Sequence, residues 1–187
     1  NTIRLYSFQT DVVYQVLKRD GVCYSKEEYV RKKYKESAKV FINAYGWFVK
    51  EAQHIVPKPE GAEYPYWAFT DLYNVDQTGD GHVLTLDVPI GEAILFDMFD
   101  WTKIMQMHYI GENESEEATF SEELKNMGMN EFQIMTSNFY PEQKARIQES
   151  WKRLFGHQQA IEAGDNSGVH SVQAGLWCIK DEWIVKE

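Results

Sequence analysis

An apolar–polar alternation that runs into a proline describes one kind of element, a strand that must stop. Residues 82–88 place Leu84, Leu86 and Val88 on one side and Val83, Thr85 and Asp87 on the other, the period of two that a pleated chain requires. Pro89 then ends the run, because it has no N–H to give to a ladder. Two further apolar runs flank this one. Residues 64–70 hold Tyr64, Tyr66, Trp67 and Phe69, and residues 93–96 follow a break at Gly91. Aromatic side chains suit a half-buried pleated surface, so the stretch 64–101 predicts three strands and sets a sheet at the centre of the fold. Asp97 or Asp100 is positioned to cap a helix through Trp101, Ile104, Met105 and His108.

Both ends of the chain read as strands as well. Ile3, Leu5, Ser7 and Gln9 alternate with Arg4, Tyr6 and Phe8, and Val172, Ala174, Leu176 and Cys178 alternate with Ser171, Gln173, Gly175 and Trp177 in a final strand spanning 169–179. Thr10, with Asp11 in the first turn, Lys18 and Arg19 in the last and Gly21 beyond, predicts a helix after the first strand. Ser25 and Glu28 have capping-box spacing, and Val30, Tyr34, Ala38, Phe41, Tyr45, Phe48, Ala52 and Ile55 recur at threes and fours. They predict one helix of ~45 Å, bent at Gly46 and stopped by Pro57 and Pro59. Its Lys26, Arg31, Lys32, Lys33, Lys35 and Lys39 form the one basic cluster, read as a solvated face. Glutamates crowd 110–123 and predict an acidic mobile loop around 111–120, followed by a short helix. Pro141, Ile147, Trp151, Leu154 and Phe155 predict a helix closed by Gly156. The expectation is a single α+β domain over 1–187 with a mixed or largely antiparallel sheet.

A net charge of −10 argues against broad binding to nucleic acid or an anionic membrane. The sequence has no run of 18 apolar residues and no signal-peptide pattern at its start, so the expected location is the cytoplasm. Cys23 and Cys178 are expected as buried reduced thiols. There is no phosphate-binding glycine loop, no GxSxG, no HExxH and no CxxC, and the five scattered histidines suggest no zinc site. Asp76, Thr78, Asp80, Gly81, Val83 and Asp87 match part of a calcium-binding loop. Strand alternation follows where a helix belongs, so the segment is read as a hairpin turn.

The blocks LYSFQ at 5–9, YPYWAF at 64–69, LTLDVP with ILFD and Trp101, ESWKRLFG at 149–156 and VQAGLW at 172–177 resemble a bacterial family catalogued as a domain of unknown function. That resemblance implies a bacterial cytoplasmic origin and no particular mechanism. The opening strand, helix and glycine, then a helix, an aromatic strand and a strand ending Val-Pro, are similar to the first half of ADP-ribosyltransferase and RNA 2′-phosphotransferase folds, which implies NAD or a relative as a cofactor. Ser7 stands where such enzymes carry histidine or arginine, and the last strand offers Gln173 and Trp177 in place of a catalytic glutamate. The leading expectation is a domain binding a small molecule or a protein partner without identifiable catalytic machinery, and the alternative is an NAD-dependent transferase. Gln9 and Gln173 are candidates to converge on a ligand, with Tyr66, Trp67 and Trp101 as walls and Asp97 anchoring a polar group.

Overall fold

The computed structural model describes residues 1–186, and the side chains of all of these except Lys39 and Val40. The predicted strands form as β1 (Thr2–Gln9), β3 (Tyr66–Phe69), β4 (His82–Pro89), β5 (Ile94–Asp97) and β6 (Val172–Leu176), and a short pair adds β2 (Val22–Tyr24) and β7 (Cys178–Lys180). The helices are α1 (Asp11–Asp20), α2 (Glu27–Tyr34), α3 (Ala38–Ala52), α4 (Met98–Met105), α5 (Glu114–Asn126), α6 (Glu131–Thr136), α7 (Pro141–Trp151) and α8 (Gln158–Glu162). The fold is α+β, and every pairing in the five-stranded sheet is antiparallel, in the order β4-β1-β3-β6-β5. None of the three strands from the middle of the chain pairs with another. Instead β1 and β6, from its two ends, lie between them.

Apolar clusters cover both faces of this sheet. On one side Leu5, Tyr66, Ala68, Leu84, Leu86, Leu95 and Leu176 pack with Val13 and Leu17 of α1 and with Cys23 and Ile179 of the β2–β7 pair. On the other, Trp67, Ile94 and Phe96 pack with Phe48 of α3 and with Trp101 and Ile104 of α4. Gly175 in β6 makes that approach possible, since a Cβ there would lie 2.9 Å from Cζ of Phe48. At the end of α1, Gly21 takes φ 80° and its N–H bonds the Leu17 carbonyl, the left-handed termination expected of it.

Five expectations are corrected. The long helix breaks at Lys35 (φ 50°) and a 3-10 turn, Lys35–Ser37, and runs unbroken through Gly46. Tyr34 and Phe41 show why: their rings stack at 4.0 Å, whereas seven residues of continuous helix span about 10.5 Å. Turning the chain at Lys35 lets α2 fold back along α3. The capping box at its start is absent, because Ser25 bridges to Tyr64 and Lys26 occupies the cap position without a side-chain bond. The basic face remains exposed at Arg31, Lys32, Lys33 and Lys35, while the side chain of Lys39 lies outside the described residues.

The final strand divides at Trp177, whose Nε1 donates to the Val56 carbonyl at 2.7 Å, and β7 then pairs with β2. Leu176 and Cys178 stay on one side of the sheet and Trp177 on the other, so alternation continues across a change of partner that periodicity cannot reveal. Residues 70–81 are no hairpin: β3 and β4 flank β1, and the connection crosses its end. There Gly81 sits so near Gln9 that a Cβ would meet its carbonyl oxygen at 2.4 Å. The acidic segment around 111–120, expected as a loop, is helical from Glu114. Asn113 caps α5 by accepting from the Glu116 N–H at 2.9 Å, and Glu114, Glu116 and Glu117 lie in the first turn, where the helix dipole favours negative charge.

Candidate functional site

Register assigns each predicted site residue to a face. Tyr6 pairs with Thr85 and Phe69, Phe69 with Gln173, and Gln173 with Phe96, so one cross-strand row runs Thr85, Tyr6, Phe69, Gln173, Phe96 on the side of α3 and α4. Trp67 and Trp101 belong to that side, with ring centroids 4.9 Å apart. Gln9 and Tyr66 are on the opposite face by alternation, so Gln9 and Gln173 are not brought together. The Tyr66 hydroxyl lies 3.0 Å from Sγ of Cys23 within the second core cluster, and burial holds its phenol protonated far above the ordinary range.

The sheet has a seam. β4 and β1 share eight paired positions, and β3 pairs with β6 at four, but β1 and β3 share only Tyr6 and Phe69. Ser7 explains the divergence: its Oγ donates to the Trp67 carbonyl at 2.7 Å, displacing a ladder bond, and accepts from Nε2 of Gln9 at 2.8 Å. The helices cover the sheet on one side of this seam. On the other side Tyr6, Phe8, Phe69 and Val83 are only partly buried and belong to neither core cluster. Arg4 and Asp87 close one end of this aromatic face with a two-point pair, Nε to Oδ1 at 2.6 Å and Nη2 to Oδ2 at 3.1 Å.

Gln173 stands at the border of the covered and uncovered halves. It is 3% exposed, and its side-chain amide makes no hydrogen bond among the described residues. Neither polar atom is sealed from solvent, since no fully inaccessible side-chain nitrogen or oxygen lacks a partner. Trp67 by contrast is satisfied, its Nε1 donating to the Tyr45 hydroxyl at 2.9 Å. Burial raises the Tyr45 phenol far above its ordinary value, with the neighbouring Tyr34 hydroxyl adding to the shift.

Asp97 ends β5 and caps α4. Its Oδ1 accepts from the N–H of Phe99 at 3.0 Å and of Ser171 at 3.4 Å, and its Oδ2 faces both the N–H and Nδ1 of His170 at 3.0 Å. Burial opposes ionisation here, but these hydrogen bonds prevail and hold the carboxyl below the usual range. The neighbouring Asp100 is shifted the other way, raised by burial and by the charge of Asp97, with Nε2 of His157 at 3.7 Å. The His170 ring stacks on Phe99 with centroids 4.5 Å apart and planes 1° from parallel. Asn74 Nδ2 donates to Ser171 Oγ at 2.5 Å and ties the β3–β4 connection to the same corner. Asp97 therefore anchors protein backbone, and its lone pairs are occupied. Among the described residues no three His, Cys, Asp or Glu side chains gather as metal ligands.

Sequence reasoning missed Tyr6 and Phe8 as a surface and His170 as the partner of Asp97. For the first two a signal existed, since aromatic residues on the polar side of an alternating strand are unusual. His170 lies 73 residues from Asp97, and no spacing predicts that contact. Among the described residues no helix is long and apolar enough to cross a membrane. No curated protein and no solved structure matches the chain. A family model does match, from residue 4 to residue 185, so the chain belongs to the family described as Domain of unknown function (DUF3841).

Proposed function

We propose that this domain binds a small planar ligand on the aromatic face formed by Tyr6, Phe8 and Phe69, beside Trp67. The observation that carries the reading is the part-exposure of these residues on the central sheet, outside both cores. Aromatic side chains normally complete a core, and an apolar patch left on a sheet marks a contact surface. Val83 and Thr85 extend the floor, and the Arg4–Asp87 pair bounds it. A small ligand fits better than a protein, because the polar group at its border, Gln173, is only 3% exposed.

The test is a thermal-shift and fluorescence panel of nucleosides, NAD and simple ring compounds, on the wild type and on Tyr6→Ser with Phe8→Ser. A ligand at ~100 times its dissociation constant adds about 2.7 kcal/mol of stability. The reading expects that stabilisation in the wild type and its loss in the double variant. Binding that survives in the variant, or a panel with no binder, overturns it.

A second reading, an NAD-dependent transferase, is supported by the seam between β1 and β3, since the ADP-ribosyltransferase folds that the sequence resembles hold NAD between small sheets. Gln173 lacks the charge to stabilise a cation-like transition state. Chromatographic loss of NAD on incubation with the protein tests this reading, and intact NAD after prolonged incubation counts against it.

A further inference from the structure

Resting on that binding reading, we infer that Gln173 selects the ligand, and that the class selected is a ring bearing a hydrogen-bond donor and an acceptor on one edge, as in a ring carboxamide, a lactam or a pyrimidine, in preference to a ring carboxylate. The amide of Gln173 offers a carbonyl acceptor and an NH₂ donor. The residue is 3% exposed, and its side chain makes no hydrogen bond among the described residues. Its backbone is fixed on both sides, in β3 at Phe69 and in β5 at Phe96, so the strand cannot shift to find one. A ligand edge that carries both a donor and an acceptor pairs with both halves of that amide at once.

Position makes the pairing possible. Gln173 is the direct cross-strand neighbour of Phe69, and adjacent strands lie ~4.8 Å apart. A ring stacked over Phe69 and Tyr6 therefore turns its edge toward Gln173 within reach of a glutamine side chain. The chemistry of the amide decides between a neutral edge and an anionic one. A carboxylate only accepts, so it can pair with the Gln173 NH₂ and leaves the Gln173 carbonyl without a donor. Arg4, on the same face, is already engaged by Asp87 and lies two residues beyond Tyr6 along β1.

Ligand-observed NMR titrations of benzamide, benzoate, acetophenone and 2-pyridone separate the possibilities, run on the wild type, Gln173→Leu and Gln173→Glu, each checked for its fold by circular dichroism and urea midpoint. In the wild type, benzamide and 2-pyridone are expected to bind about 10- to 100-fold more tightly than benzoate and acetophenone. In Gln173→Leu the four are expected to converge to within about threefold, and in Gln173→Glu benzoate is expected to weaken further. Equal affinities for all four probes in the wild type, or unchanged preferences in Gln173→Leu, overturn the inference while leaving the binding reading intact. Absence of any binding by the wild type sinks the binding reading itself. Should Gln173→Leu fail to fold, the Gln173→Glu preferences decide alone.

Discussion

Gly175→Ala probes the contact that seats α3 on the sheet. The added methyl would lie 2.9 Å from Cζ and 3.2 Å from Cε1 of Phe48, and 3.5 Å from Cζ3 of Trp67. Phe48 is fully buried, with ring centroids 5.1 Å from Trp67, 5.4 Å from Trp101 and 5.6 Å from Phe96, so it has nowhere to swing. Forcing one carbon into such a core costs about 1–3 kcal/mol. Removing a glycine from a strand returns about 0.5–1 kcal/mol, so the net loss should be about 1–2 kcal/mol. With a urea slope of about 2 kcal/mol/M the midpoint falls by about 0.5–1 M. The clash requires the Phe48 ring, so in a Phe48→Leu background the same substitution should cost less than about 0.5 kcal/mol, a coupling read from the double-mutant cycle. Gly175→Ala that stabilises the protein, or that costs the same in both backgrounds, would refute the reasoning.

Asp97→Ala should lower stability by about 2–3 kcal/mol in urea unfolding, from loss of a helix cap together with stranded N–H groups at residues 170 and 171. Because its folded value is depressed, the stabilisation that Asp97 provides is complete above the unfolded carboxyl value of about 3.9 and disappears as pH falls through the lower folded one. Asp100 has the opposite sign: its folded value is raised, so its favourable contribution is present below the unfolded value and is lost as pH rises through the folded one. Asp100→Asn should accordingly match or exceed the wild type at pH 7 and lose that advantage toward pH 4, as followed by unfolding midpoints. Burial pushes the Cys178 thiol up to about 11 and raises Cys23 as well, so at pH 8 an aromatic disulfide reagent should leave both untouched until urea unfolds the chain. Prompt labelling of the native protein would contradict their burial.

Alternation was informative wherever the apolar face of a strand met a core. Leu84, Leu86 and Val88, and Leu5 on β1, face the same cluster as the sequence implied, and Asp97 does cap α4. What local pattern cannot encode is which strand lies beside which, because ladder bonds join backbones and leave no trace in side-chain type. Hence the interleaving of β1 and β6, the change of partner at Trp177 and the crossing of residues 70–81 went unread. The helix break at Lys35 was hidden for another reason: Tyr34 and Phe41 keep helical spacing on both sides of it, and only their stacking reveals the fold-back. Among candidate site residues, Trp67 and Trp101 pack against one another in the cluster beside α3 and α4. Tyr66 turned to the other side by the same parity that placed Trp67, and Gln9 parted from Gln173 by parity and strand assignment together.

The interleaved strand order has a consequence for how the protein comes into being. On the ribosome the N-terminal two-thirds of the chain can form only the β4–β1 pair and the lone Tyr6–Phe69 link to β3, because both β3 and β5 take their main partner from residues 172–176. Until that last segment emerges, the aromatic side chains of β3 and β5 have no sheet to rest in. The centre of the sheet is therefore closed by a strand inserted between two that were synthesised before it.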